Sequence, residues 1–249
     1  HHFAFDSVRG AGKQLKPNSL NAETSHANYL ASFDTDGFTL GSDTDTNASS
    51  TSHIGWNWKA GTSVSGNSSG SGTTTSYTGS VNTDAGFSII KYTGNGTDGL
   101  QIPHHLGLIK SLTSQAWNIF FPNALGADKG MQINNTGVAG GPYYSTHLSD
   151  DMPTTSVVKL GNGAATNTLA EVGGQDYIMY CWANKDGYSK AGKYTGNQNA
   201  DGTFIYTGFK PAYVLISNTV TDGEGFVVMN NKSDPTNVVG TYFTLYQSN

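Results

Sequence analysis

The sequence predicts an all-β protein: two tandem β-sandwich, jelly-roll-like modules descended from an internal repeat. Three observations carry this expectation. Short β-rich runs are bounded by turn residues. The composition is poor in charge and rich in Gly, Ser, Thr, Asn and Tyr. One segment, KYTGN, is spelled at 91–95 and again at 193–197.

The runs in chain order are HIGWNWKA, FSIIKYTG, QAWNIFF, SVVKLG, DYIMYCWA, TFIYTGF, AYVLIS, GFVVMN and TYFTLY. They are rich in β-branched and aromatic residues, several alternate, and Gly, Asn, Asp or Pro punctuates them, which is the signature of short strands in a sandwich. NAETSHANYLASF (21–33) has helical possibilities and reads equally well as an ordered loop. The stretch 61–83 is nearly all Gly, Ser and Thr at its start. With so little apolar area to bury, it is expected to be a flexible surface loop. KYTGNG and KYTGNQ read as hairpin turns, because Gly and Asn tolerate the positive φ that such turns demand.

Laying the two KYTGN segments over each other extends the match. FDSVRGAGKQL (5–15) lies on FPNALGADKGM (121–131), GFTLGSDTDTN (37–47) on SVVKLGNGAATN (156–167), and HIGWNWKAG (53–61) on YIMYCWANK (177–185), with Trp58 opposite Trp182. Residues 106–109 correspond loosely to GFKPAYVLI (208–216), and WNIFF (117–121) to FVVMN (226–230). A repeat of this length implies repeated supersecondary units. The repeat is out of phase with the chain, so either each module is permuted relative to it, or the chain is part of a longer array. Half-units would leave sheet edges and apolar faces bare, which favours permutation and two modules at 1–113 and 114–249.

Composition excludes several roles. Thirteen Lys and Arg stand against eighteen Asp and Glu, a net charge of −5, so no basic face is expected for nucleic acid. No apolar run is long enough to suggest membrane insertion. The opening HHFAF lacks the features of a signal peptide. The single cysteine, Cys181, lies in an apolar strand-like run and is expected to be a buried, inert thiol.

Candidate chemistry is sparse. Asp34, Asp36, Asp43 and Asp45, with Asn47, alternate in SFDTDGFTLGSDTDTN, as oxygen ligands to calcium sometimes do. The EF-hand pattern nevertheless fails from Asp43, where Ala48 and Ile54 take the places of its Gly and Glu. The bland reading, turn carboxylates bonding their own backbone, is preferred. His104 and His105 lack a metal-ligating spacing. There is no GxSxG, and the glutamates Glu23, Glu171 and Glu224 sit in polar surroundings. No enzyme activity, metal or cofactor is expected. Trp58 and Trp182 read as core. Tyr143 and Tyr144, in the loop-like AGGPYYSTH, are the candidate ligand residues, offering rings to stack on a glycan. Five Asn-x-Ser/Thr sequons (Asn47, Asn67, Asn95, Asn134, Asn231) are what such a composition produces by chance.

The string GFSIIKYTGNG, an HxLG-type step, WNIFFPNALGADKGMQIN, VVKLG, YIMYCWANKDGYSKAGKYTGN and ADGTFIYTGFKPAYVLI resembles a repeat domain of tail-fibre and other structural proteins of marine tailed phages. FDSVRGAGKQL and GFVVMNNKSDPTNVV fit the same pattern, and HHLG at 104–107 departs from its usual HGLG. The resemblance implies a homo-oligomeric virion component, a tail fibre or surface decoration, located in the extracellular particle. Its implied partners are further copies, other virion proteins and host-surface glycan. Two alternatives of other classes remain: a filament subunit completed by strand exchange between copies, and a stand-alone carbohydrate-binding module.

Overall fold

The computed structural model describes residues 2–59, 61–103, 107–120, 130–133, 148–149, 154, 156–161, 174–219, 225–235 and 240–245. In chain order the strands are β1 (Lys13–Gln14), β2 (Thr24–Ser25), β3 (Leu30–Phe33), β4 (Phe38–Leu40), β5 (Thr62–Asn67), β6 (Ser69–Gly70), β7 (Ser76–Asn82), β8 (Phe87–Thr93) and β9 (Leu100–Ile102). They continue with β10 (Gly107–Ser111), β11 (Trp117–Phe120), β12 (Gly130–Gln132), β13 (Val158–Leu160), β14 (Asp176–Trp182), β15 (Tyr213–Ile216), β16 (Val227–Asn230) and β17 (Phe243–Thr244). One short helix, α1 (Thr44–Asn47), lies between β4 and β5. The protein is all-β, as the sequence predicts.

A seven-stranded sheet, ordered β12-β11-β10-β14-β8-β7-β5, forms the centre. Every pairing in it is antiparallel. Antiparallel sheets often leave one face to water, but alternation along these strands is apolar on both sides. Ile90 and Tyr92 of β8, with Tyr177, Met179 and Cys181 of β14, point into one cluster. Phe87 and Ile89, with Ile178 and Tyr180, point into the other. The first face is covered by the three-stranded sheet β13-β9-β6, whose Leu100, Ile102, Val158 and Leu160 are fully buried. The second is covered by the N-terminal segment, through Leu15 and Val8, and by the sheet β15-β16-β17, through Leu215 of β15 and the flanking Phe226 and Leu245. Each fully buried aliphatic or aromatic side chain contributes about 1.5–3 kcal/mol, so two full faces make this sheet the stable heart of the fold.

Three expectations are corrected. The stretch 61–83 is not a flexible loop, because β5 and β7 occupy most of it and extend the central sheet beyond β8. Backbone pairing supplies what the small side chains lack, while Val64, Tyr77 and Val81 pack on the first cluster. Tyr77 also lies over Gly66, its partner across the pair, shielding a backbone with no side chain of its own. HIGWNWKA and TFIYTGF are not strands; residues 53–59 and 202–206 run without regular structure. KYTGNG is not a hairpin, since it carries the chain from β8 in the central sheet to β9 in the covering one. In 21–33 there is no helix, and the segment is more than a loop, since β2 and β3 lie within it.

The turns match in local conformation. Gly96 and Gln198, sixth in KYTGNG and KYTGNQ, both have positive φ (70° and 54°). Asn95 Oδ1 accepts from Thr97 N at 2.9 Å, and Asn197 Oδ1 from Asn199 N at 3.1 Å, the same two-residue Asx turn. Gly86 and Gly187 also share positive φ. The division expected at 113/114 falls between β10 and β11, hydrogen-bonded neighbours of the central sheet.

Candidate functional site

A closed ionic network pins the N-terminal segment to the second face. Asp6 Oδ1 accepts from Val8 N and Arg9 N at 3.1 and 2.8 Å, bending the chain into a turn. Its Oδ2 takes Arg9 Nε at 2.5 Å and the Tyr180 hydroxyl at 2.6 Å. Arg9, the chain's only arginine, also donates to Glu23 Oε2, to Ala4 O and to the Tyr180 oxygen at 3.1–3.2 Å. The Asp6 and Arg9 side chains are 1% exposed. Burial would lower the Arg9 pKa, but Tyr180, Asp6 and Glu23 raise it overall, so the guanidinium stays charged. Burial first, then the Asp6 carboxylate, holds Tyr180 protonated far above the usual phenol range. Each charged or hydroxyl group of the network is thus hydrogen-bonded to another member of it.

Lys110, on the same face, is fully buried, and its Nζ donates to Ser111 O and Thr113 O at 2.7 and 2.8 Å. Burial, with the Arg9 charge near it, brings its pKa down to about 8 from an ordinary 10.5. Between those values the unfolded chain binds more protons than the folded one, so this residue makes stability rise with pH. Buried Cys181, pushed up from 9 to about 12, acts in the opposite sense at higher pH. Comparison with Lys110→Met cancels the cysteine. The stability of the wild type relative to that variant is expected to rise between pH 8 and 10.5, by up to about 3 kcal/mol in urea titrations. A difference that stays flat with pH would refute the lowered Lys110 pKa, since it would mean that the folded and unfolded chains bind this proton alike.

The acidic run is taken up locally. Asp34 Oδ1 and Oδ2 accept from Ser32 and Thr39, each at 2.8 Å, tying β3 to β4, and these bonds lower its pKa. Asp43 caps α1 through Asp45 N, and Asp45 accepts from Tyr29. Asp36 is exposed. Among the described residues no three His, Cys, Asp or Glu side chains gather as metal ligands would. Tyr143, Tyr144, His104, His105, Glu171 and Glu224 lie outside the described residues. Asn95 Nδ2 bonds Ser71 O and Thr73 O, both at 2.9 Å, so one sequon asparagine is part of the framework. Among the described residues no helix is long and apolar enough to cross a membrane.

The unusual surface is apolar and strand-like in sequence. Phe204 is 85% and Tyr206 73% exposed, in a segment from 190 to 206 that lies almost wholly open to solvent. Tyr188, Tyr194 and Ile205 are also exposed. In the hairpin β3–β4, Phe33, Phe38 and Leu40 face solvent. TFIYTGF has the side chains of a strand; what it lacks, among the described residues, is a partner. Trp56 and Trp58 lie beside β15. The Trp56 ring meets Tyr213 and Phe243 edge-on at 5.7 and 6.0 Å, and Trp58 meets Trp182 at 5.7 Å. Trp58 remains partly exposed, so it lines a surface cluster rather than a sealed core.

A family model described as "Domain of unknown function (DUF7483)" matches residues 1–249. No curated protein and no solved structure matches the chain.

Proposed function

The chain belongs to that family, a domain of unknown function, over all 249 residues, and from this premise we propose that it is a structural module of a tailed-phage virion. In this reading it serves in a tail fibre or as a surface decoration, acts by assembling with further copies and other virion proteins, and catalyses no reaction. Host-surface glycan is a secondary partner, with Tyr143 and Tyr144 as the contact residues. The phage assignment rests on the resemblance of the repeated segments. Assembly rests on one observation: an aromatic segment, Phe204 to Tyr206, stands open to water and, among the described residues, has no partner strand. Exposed apolar strand sequence is a liability that proteins cover, and a polymerising component covers it with its neighbour.

The test is light scattering of the purified chain over a concentration series, followed by negative-stain imaging of the products and of candidate virions with a labelled antibody. Concentration-dependent assembly and label on a virion are expected. A chain that stays monomeric while binding or cleaving polysaccharide would overturn the reading; free filaments without virion label would move it to the filament alternative.

A further inference from the structure

Two apolar features left bare in this molecule correspond to two features that are paired elsewhere in it. In the sheet covering the first face, β9 and β13 run antiparallel, with Leu100 opposite Leu160, Gln101 opposite Lys159 and Ile102 opposite Val158. All four apolar members of this ladder are fully buried. The repeat places β4 on β13, Phe38-Thr39-Leu40-Gly41 over Val158-Lys159-Leu160-Gly161. It also places Asp201-Gly202 on Asp98-Gly99, after turns of the same conformation, so that Thr203-Phe204-Ile205 falls on Leu100-Gln101-Ile102. Where β13 and β9 are bonded, β4 and 203–205 are apart. β4 is bonded on one side to β3. Phe38 and Leu40 stand 44% and 36% exposed, and Ile205 is exposed as well.

We propose that the free edge of β4 is an acceptor for Thr203–Ile205 of a second copy of this chain. The added strand is antiparallel, with Leu40 opposite Thr203, Thr39 opposite Phe204 and Phe38 opposite Ile205. The occupant is a second copy because each chain carries one donor and one acceptor, and both stand in water when the chain is alone. In the β9–β13 pair the counterparts of Phe38, Leu40 and Ile205 are fully buried, while Gln101, the counterpart of Phe204, is half-buried. Donor and acceptor are different surfaces, so the contact is head-to-tail. Repeated, it closes a ring or extends a fibre according to the rotation between copies. Strand addition takes its affinity from backbone hydrogen bonds and its register from alternating side chains. The proposal rests on the assembly reading above and adds its partner and register.

The experiment mixes two full-length variants, Thr39→Cys and Phe204→Cys, under mild oxidation. Cys181 is buried and stays out of the reaction. A disulfide-linked heterodimer is expected as the main product, and Thr39→Cys mixed with Asn199→Cys should give none. Ile205→Asp, at an exposed position, should keep the melting curve and weaken assembly about tenfold or more, a change of about 1.4 kcal/mol. Assembly without the 39–204 crosslink, or undiminished in Ile205→Asp, overturns this pairing and leaves the assembly reading standing. A monomer at every concentration overturns both. If a chain carrying both Thr39→Cys and Phe204→Cys yields only an intrachain disulfide, the second-copy assignment is wrong.

Discussion

Asp6→Ala is expected to lower the unfolding free energy by about 3–5 kcal/mol, the cost of leaving one partner of a buried ion pair uncompensated. The carboxylate does four things at once. It accepts from two backbone N–H groups, neutralises Arg9 and accepts a hydrogen bond from the Tyr180 hydroxyl. Alanine removes all four and leaves a guanidinium that burial disfavours, with Glu23 and two oxygens as its remaining acceptors. Tyr180→Phe should cost less, about 1–2 kcal/mol, because it removes one hydroxyl and leaves the ion pair intact. Urea unfolding of the two variants measures both. A loss below about 1 kcal/mol for Asp6→Ala would mean that the N-terminal segment lifts from the sheet and gives Arg9 back to water at little cost.

Gly107→Ala is expected to be as severe, at about 3 kcal/mol or more, with loss of cooperative unfolding as the extreme outcome. Gly107 opens β10 opposite Cys181, and a Cβ there would run into the backbone of β14 at the Tyr180 carbonyl and the Cys181 Cα. Backbone cannot swing aside as a side chain can. Slipping by one residue offers no escape, because it would turn every side chain of β10 to the opposite face. Gly192→Ala is the matched control, with no atom within 4 Å of its Cβ, and is expected to stay within about 0.5 kcal/mol of the wild type. Equal effects in the two variants would disprove the close approach of β10 and β14.

These two sites also separate what a sequence discloses from what it hides. β8 and β14 were legible, since FSIIKYT and DYIMYCW carry the β-branched and aromatic side chains that a buried strand needs. Their apolar residues on both faces even announce a sheet covered twice. β5 and β7 were hidden, because Gly, Ser and Asn dilute the few strand formers in TSVSGN and SYTGSVN and their pairing is supplied by the neighbour. HIGWNWKA and TFIYTGF erred in the other direction, as propensity cannot say whether a partner edge is within reach. The ionic network was illegible for a different reason: Tyr180 stands 174 residues from Asp6, and nothing local marks the pair. The glycine in the HxLG-type step was visible from the start, and its meaning, a backbone passing too close for any Cβ, needed coordinates.

The order β10-β14-β8 has a consequence for how the molecule comes into being. The middle strand of that trio is the last of the three to be synthesised. A nascent chain that has not yet reached Asp176 holds β7 and β8 on one side of a gap, β10 and β11 on the other, with no central strand between them. Non-local pairings of this kind are slow to form, and bare edges invite errant contacts while they wait. Closure of the centre is thus a single late event, in which one seven-residue strand zips two half-sheets together from both sides.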